Sequence, residues 1–373
     1  MRDPWAARAG GLIKAANFGV EQSTHKLSAL ALLLGALVLC SAADGETRAK
    51  TDAITLRNGD RITGRIISAQ YGFLQLDSQH SGSVSIEWPS VRTIETRYQF
   101  RVVRFGGQHY AGPIRTSADG ENLIVGSGPT AVSIPMSQVA SLVPFEESFW
   151  RRVDGDVSAG YAFTKASDIT QGNLGFSANY NGTNVQASLQ TSAILSRDSS
   201  GATTEQEQVQ ANAFFLRPSP NFWGLLGTLQ RDRSLGVDAR FVAGAALGRR
   251  LIETYKSSVT GIVGVVHNEE RGSEGAGTHS SLEGVLGGEW RIYKFTYPKI
   301  RLDSSLLLYP SITESPRLRG TLNITLTYKL TERFALKATQ YGNYDSRPPS
   351  PGAATTDYGI TASLSYSFGP VIQ

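Results

Sequence analysis

His267 and His279 are the side chains of this 373-residue sequence best suited to acid–base chemistry. They bracket one connecting segment, with Asn268, Glu269, Glu270 and Ser280 beside them. An imidazole within reach of a carboxylate and a hydroxyl can relay a proton at neutral pH, the least that a hydrolytic site requires. A polar loop gives the same pattern without chemistry, and it is the preferred reading. His80 and His109 are a second pair, of the kind that could hold a metal ion. They occupy non-equivalent places in an internal repeat, so ordinary surface histidines are expected. Gly287-Gly288 precedes no helix and is no phosphate loop. Asn181-Gly182-Thr183 reads as a hairpin turn, not a glycosylation site. No catalytic, metal or cofactor-binding residue is assigned. The remaining set is charged: Glu283, Glu289, Arg291, Arg301, Asp303, Lys329 and Lys337. Its meaning depends on the elements that carry it.

Those elements are strands. From 358 to 368 the even positions are Tyr358, Ile360, Ala362, Leu364, Tyr366 and Phe368, and the odd ones are Gly359, Thr361, Ser363, Ser365 and Ser367. Side chains alternate across a strand, so this segment separates an apolar medium from a polar one. About twelve such segments fit between 153–163 and 356–368, an even number, as single-chain transmembrane β-barrels require. Alternation is weaker in the sixth and seventh, at 239–251 and 256–270, where Val and Ala occupy both faces. Short connections, such as 181–182, 219–221 and 331–333, alternate with long ones, such as 198–204, 272–278 and 347–355. With a periplasmic N-terminus the short ones are inside and the long ones outside. Aromatic residues gather near strand ends (Tyr161 and Phe163, Phe222 and Trp223, Tyr293, Phe295 and Tyr297, Tyr341 and Tyr344), as interfacial girdles do. On this reading the lumen face is mostly Ser, Thr, Asn, Gln and Gly, and the seven charged residues turn inward. Inward charges of both signs make a constriction selective for small solutes, or they pair and plug the lumen. Twelve strands lie between a filled and an open barrel, and both outcomes stand.

The fold class expected is all-β: a C-terminal antiparallel transmembrane β-barrel over 150–369, preceded by a small duplicated β domain over 44–149. Residues 54–94 recur at 102–142 with a constant offset of 48. Gly59, Gly64, Ile66, Gly72, Val84, Ser85, Ile86 and Val91 return as Gly107, Gly112, Ile114, Gly120, Val132, Ser133, Ile134 and Val139. One unit buries little core alone; two pack as a pair of small barrels or share one sheet. Edge pairing in such a domain could hold a periplasmic partner.

Residues 1–43 are expected to be a secretory leader, because the apolar run 27–40 follows Lys26 and Ser41-Ala42-Ala43 supplies small residues for cleavage. Cys40 is the only cysteine, which excludes a disulfide framework and a thiolate metal site after cleavage. Of the net charge of +4, the leader holds half (Arg2, Arg8, Lys14 and Lys26 against Asp3 and Glu21), so nothing points to nucleic acid.

Four stretches carry a family resemblance: Leu-Arg-Asn-Gly-Asp-Arg-Ile-Thr-Gly at 56–64, Ile86-Glu87-Trp88 with Val91, Asp345-Ser346-Arg347-Pro348-Pro349, and Thr356-Asp357-Tyr358-Gly359. With these the chain resembles the family of salt-induced outer-membrane proteins, also catalogued as domain of unknown function 481. The resemblance implies a β-barrel in the outer membrane of a Gram-negative envelope; the repeat domain is expected in the periplasm. It brings no catalytic or ligand residue. The second repeat has neither the Asn-Gly-Asp nor the Trp of the first. The function expected is a non-enzymatic envelope barrel, a narrow pore or a structural barrel related to salt or osmotic stress. Its partners would be outer-membrane lipid and the barrel-assembly machinery, which reads a C-terminal strand ending in an aromatic such as Phe368. The alternatives are a membrane-anchored binding module using the repeat domain, and an outer-membrane hydrolase with a rim site.

Overall fold

A computed structural model describes residues 48–145, 149–164, 169–197, 203–273, 277–294 and 299–369. The expected leader, Phe295 and Tyr297 lie outside the described residues, as does the side chain of Phe163.

The first repeat folds as β1 (Asp52–Leu56), β2 (Arg61–Gln70), β3 (Phe73–Ser78), β4 (Gly82–Glu87) and β5 (Val91–Glu95). The second repeats the plan as β6 (Gln99–Arg104), β7 (His109–Thr116), β8 (Asn122–Val125), β9 (Val132–Pro135) and β10 (Val139–Pro144). In both, a single 3₁₀ turn precedes the closing strand, at Trp88–Ser90 and at Met136–Gln138. Of the two packings open to the repeats, they share one sheet, ordered β4-β3-β2-β10-β6-β7-β8-β9, with β1 bridging β2 and β5. The join is β2 against β10, where Gln70 pairs with Ser141 and Ala69 with Leu142. The repeated apolar residues make a common core: Ile66 and Ile114, Ile86 and Ile134, Val91 and Val139, Ile94 and Leu142 are all buried in it. Trp88 and Met136, 48 residues apart, meet at the join, where the Trp88 indole Nε1–H donates to the Met136 carbonyl at 2.7 Å.

The rest is a closed antiparallel barrel of twelve strands in sequence order. They are β11 (Val153–Thr164), β12 (Ile169–Asn181), β13 (Val185–Arg197), β14 (Thr203–Phe215), β15 (Asn221–Asp232), β16 (Val237–Glu253), β17 (Ser257–Gly272), β18 (Thr278–Lys294), β19 (Ile300–Pro310), β20 (Leu318–Lys329), β21 (Phe334–Asp345) and β22 (Thr356–Phe368). The usual burial order is inverted on the outer wall. Leu247, Leu286, Trp290, Ile360 and Tyr358 are 66, 56, 51, 70 and 76% exposed, while Thr361 and Ser363 on the opposite face of β22 are half-buried. An apolar band running around a closed sheet far exceeds what a water-soluble monomer exposes, and it suits a bilayer. Among the described residues no helix is long and apolar enough to cross a membrane.

The girdle expectation holds in part. Trp223, stacked on Phe215 at 4.0 Å, and Phe334, beside Tyr366 at 5.2 Å, face outward near the end that carries the repeat domain. Tyr344, Tyr358 and Tyr161 face outward at the other end. Phe222, Tyr293 and Tyr341 instead share the register of inward residues, because they sit one position from the outward ones. The repeat domain rests on the end of the barrel with the short turns, called proximal below.

Candidate functional site

The inward face is built by strand parity, and its residues gather at two levels. At the proximal mouth Arg291 lies 2.8 Å from Glu289 and 3.6 Å from Asp303, and Arg301 lies 2.7 Å from Asp303. Lys329 ends β20 at the same mouth. Lys337 forms a 2.6 Å pair with Asp156 of β11, to which Ser177 and Ser365 also donate. Opposite charges within one strand or on nearby strands satisfy one another here rather than ringing an empty channel.

The repeat domain closes over this mouth. The β2–β3 hairpin turns through Tyr71 and Gly72, both with positive φ (59° and 82°), the geometry of a type I′ turn. Tyrosine is unusual at such a backbone angle and costs about 1–3 kcal/mol. The turn drives the Tyr71 ring against Tyr293, 4.3 Å between centroids. In return Tyr255, at the tip of the β16–β17 turn, packs on the core of the repeat domain and lies 4.8 Å from Phe105. Arg101 donates to the Gly182 carbonyl at 3.2 Å. A side-chain carbon at Gly107 would lie 2.7 Å from Cβ of Arg250, so glycine is required there by close approach as well as by its φ of 83°. Tyr71 was not legible as a functional residue; a bulky residue before glycine in a two-residue hairpin is the signal that marks it.

His109 is no surface histidine. It is 8% exposed at this junction, and neither ring nitrogen has a hydrogen-bond partner. Burial, with Arg250 and then Arg101 adding to it, pushes its pKa down to about 2. Once unfolded it would titrate near 6.5. The native state thus refuses a proton that the unfolded chain accepts, and stability is complete above pH ~6.5 and falls with acid, by at most ~1.4 kcal/mol per pH unit. Between pH 7 and pH 5 the wild type should lose roughly 2 kcal/mol through this group, read from urea midpoints. A His109→Gln variant should lose that share of the pH dependence; an unchanged slope would refute the assignment. His80 is exposed in the β3–β4 turn.

At the distal end a denser cluster crosses the lumen. Arg240 of β16 reaches Glu270 of β17 at 2.7 Å and Asp345 of β21 at 2.9 Å. Arg317, in the β19–β20 loop, binds the same Asp345 at 2.7 Å and also Glu270. Arg319 pairs with Glu283 of β18. All six side chains are at most 6% exposed. The loop after β21 folds over them, tied down by the Ser350 hydroxyl donating to the Gly236 carbonyl at 2.7 Å. Beneath them β15–β19 turn Val242, Ala246, Val266 and Val285 inward, packed with Leu226, Ile262, Leu307 and Tyr309. The expected inward face of hydroxyls, amides and glycines is corrected on this half of the barrel. Once the charges above it pair and exclude water, apolar side chains can fill the interior. This also explains the weak alternation of β16 and β17.

Of the seven inward candidates, Glu283 alone joins the distal cluster. Glu289, Arg291, Arg301, Asp303 and Lys329 stand at the proximal mouth, with Lys337 one turn of the pleat beyond. Arg240, Arg317, Arg319 and Asp345 were missed, although strand parity marks Arg240 and Arg319. The two histidines proposed for hydrolysis do not converge. His267 shares the outward register with Val263 and Val265, whereas Glu270 and Asn268 point inward. His279 is exposed and lies in the inward register, opposite Glu270 on β18. Among the described residues no group of His, Cys, Asp and Glu could hold a metal.

Solved structures with related strand arrangements include the translocator domain of the autotransporter NalP from Neisseria meningitidis, 10% identical over 58% of this chain and 87% of that one, with a TM-score of 0.34. A porin is 8% identical over 58% and 99%, with a TM-score of 0.28. A Pseudomonas aeruginosa FadL homologue is 10% identical over 86% of both chains, with a TM-score of 0.25. These are likenesses of fold alone. No curated protein matches the chain. The family model described as "Protein of unknown function, DUF481" matches residues 157–368, nearly the whole barrel and more than half of the sequence, and the chain belongs to that family.

Proposed function

We propose that this protein is a non-enzymatic outer-membrane barrel whose interior is held shut at both ends, with the repeat domain docked on its mouth from the periplasm. The observation that carries the reading is the buried Arg240–Asp345 bridge, which joins β16 to β21 across the lumen and is doubled by Arg317 and Glu270. A solute passing the barrel would have to break several buried charge pairs. The repeat domain sits at the short-turn end, the usual periplasmic side of such barrels. On this reading outer-membrane lipid and the assembly machinery are its partners. A part in salt or osmotic response belongs to the reading through family resemblance. It makes the closed barrel an envelope element that conducts only when the network yields.

Planar-bilayer recording tests this. The refolded wild type should be silent or nearly so. Arg317→Ala together with Asp345→Ala should produce resolvable current steps, because it removes both the cross-lumen bridge and the anchor of the covering loop. Steady, ohmic conductance from the wild type would refute the closed state.

A further inference from the structure

The two halves of the lumen are lined differently. Opposite the apolar half, β12, β13 and β14 turn no charged residue inward. The charges they carry, Arg197, Glu205 and Glu207, share the outward register of Leu195 and Val209. What they turn inward is largely carboxamide. β14 presents Gln206, Gln208, Gln210 and Asn212 in succession, Gln190 of β13 stands in register with Gln210, and Asn173 lies on β12. A wall that only had to plug the barrel would be filled as the other half is, with residues such as Val242, Val266 and Val285.

This wall faces open space. Gln190 and Ser192 are exposed although they turn inward, and so is Asn323 of β20, nearly across the ring. Around that space three amide oxygens, Asn173 Oδ1, Gln206 Oε1 and Asn212 Oδ1, are buried without a hydrogen-bond partner. Buried acceptors with nothing to accept from are costly, and hydroxyl donors would satisfy all three without bringing charge. Asn212 is also the register partner of Leu226, which packs into the apolar half. The space is therefore two-sided, carboxamide on one flank and hydrocarbon on the other. A pyranose ring has the same division, with hydroxyls around its edge and C–H groups on its faces. A carboxamide holds a donor and an acceptor side by side, which suits two neighbouring hydroxyls.

We infer that this half of the lumen is a binding site for a soluble, uncharged oligosaccharide. Ring hydroxyls pair with Gln190, Gln208, Gln210 and the three buried amide oxygens, and a ring face rests toward Leu226. An anionic sugar would lose its hydration against a wall that offers no free cation, since Arg240, Arg317, Arg319 and Lys337 are each engaged by a carboxylate. The site depends on the closed sheet and its parity, not on the lumen being shut.

The test refolds the full-length protein in lauryldimethylamine oxide, a detergent without a sugar. Tritiated maltotriose or cellotriose is present during refolding, so that a shut barrel is loaded as it forms. Heat-dependent gel migration verifies the folded barrel in each sample, and equilibrium dialysis measures the bound sugar. Retention in proportion to folded chain is expected. Gln190→Ala with Gln210→Ala should lower it by roughly tenfold or more. Asn212→Leu, which keeps the volume and removes one unpaired oxygen, should lower it too, and it carries the comparison if the double variant loses its gel shift. Gln340→Ala removes an exposed carboxamide of the outer wall and should change nothing. No retention of either sugar by the folded wild type would overturn the site, as would equal retention by wild type and variants. Equal retention of tritiated trigalacturonate would overturn the restriction to uncharged ligands. Bound sugar that passes these comparisons but exchanges freely would refute the shut lumen and leave the site standing.

Discussion

Asp345→Ala should lower the stability of the barrel by about 3–5 kcal/mol, the usual consequence of removing one partner from a buried ion cluster. Asp345 is fully buried and accepts from Arg240, from Arg317 and from the Arg347 backbone N–H at 3.0 Å. Without it two buried guanidinium groups share Glu270, with only the half-exposed Glu314 as a further carboxylate for Arg317. The exposed pair Arg61–Glu95 is the natural control: at 2.7 Å it is as short, but both side chains are 61% exposed. Arg61→Ala should therefore cost less than ~1 kcal/mol. The measurement is the temperature at which the folded band disappears on a detergent gel, or the urea midpoint in micelles. Equal effects for the two variants would show that the distal cluster holds nothing together. A fourfold change, Arg240→Met with Glu270→Leu, Arg317→Met and Asp345→Leu, should recover most of the loss, because apolar groups of similar volume often replace buried ion clusters at little cost. The cluster would then be a device for closure rather than for stability, and conductance would separate the two roles.

Trp88→Ala is expected to destabilise the repeat domain by about 3–5 kcal/mol, the range for deleting a large buried aromatic. The ring is 3% exposed and lies where the two repeats meet, so the void would open between them rather than inside one. The Met136 carbonyl would also lose the indole donor, which adds about 1 kcal/mol. Trp88→Phe separates the terms: it keeps most of the volume, and its cost should be nearer 1–2 kcal/mol. Urea unfolding of the full chain, followed by proteolytic cleavage within the repeat domain at each urea concentration, gives both values. If Trp88→Ala and Trp88→Phe were equally harmful, the hydrogen bond and not the packing would dominate. The difference between the repeats has its explanation here. A pseudo-two-fold join has room for one large ring, so one repeat supplies Trp88 and the other the smaller, adaptable Met136.

Much of the barrel was legible because alternation is a local property. The segment expected at 356–368 coincides with β22, and those expected at 153–163, 239–251 and 256–270 differ from β11, β16 and β17 by only one or two residues at their ends. The duplication was legible for the same reason, a constant offset that needs no three-dimensional knowledge. The histidines were harder. His109 looked like a surface residue because what buries it, Arg250, lies well over a hundred residues away on the barrel. His267 and Glu270, close in sequence, point to opposite faces because an odd separation in a strand reverses the side chain.

Sequence alone determined an all-β chain with a two-fold internal repeat and a wall apolar on one side and polar on the other, since side-chain period, turn residues and repetition are written in neighbouring positions. Tertiary structure decided that the lumen is crossed by charge pairs, half filled with apolar side chains and capped by Tyr71. Those features join residues such as 240 and 345, or 71 and 293, whose meeting depends on how many strands close the ring and with what register, and that is a property of the whole sheet.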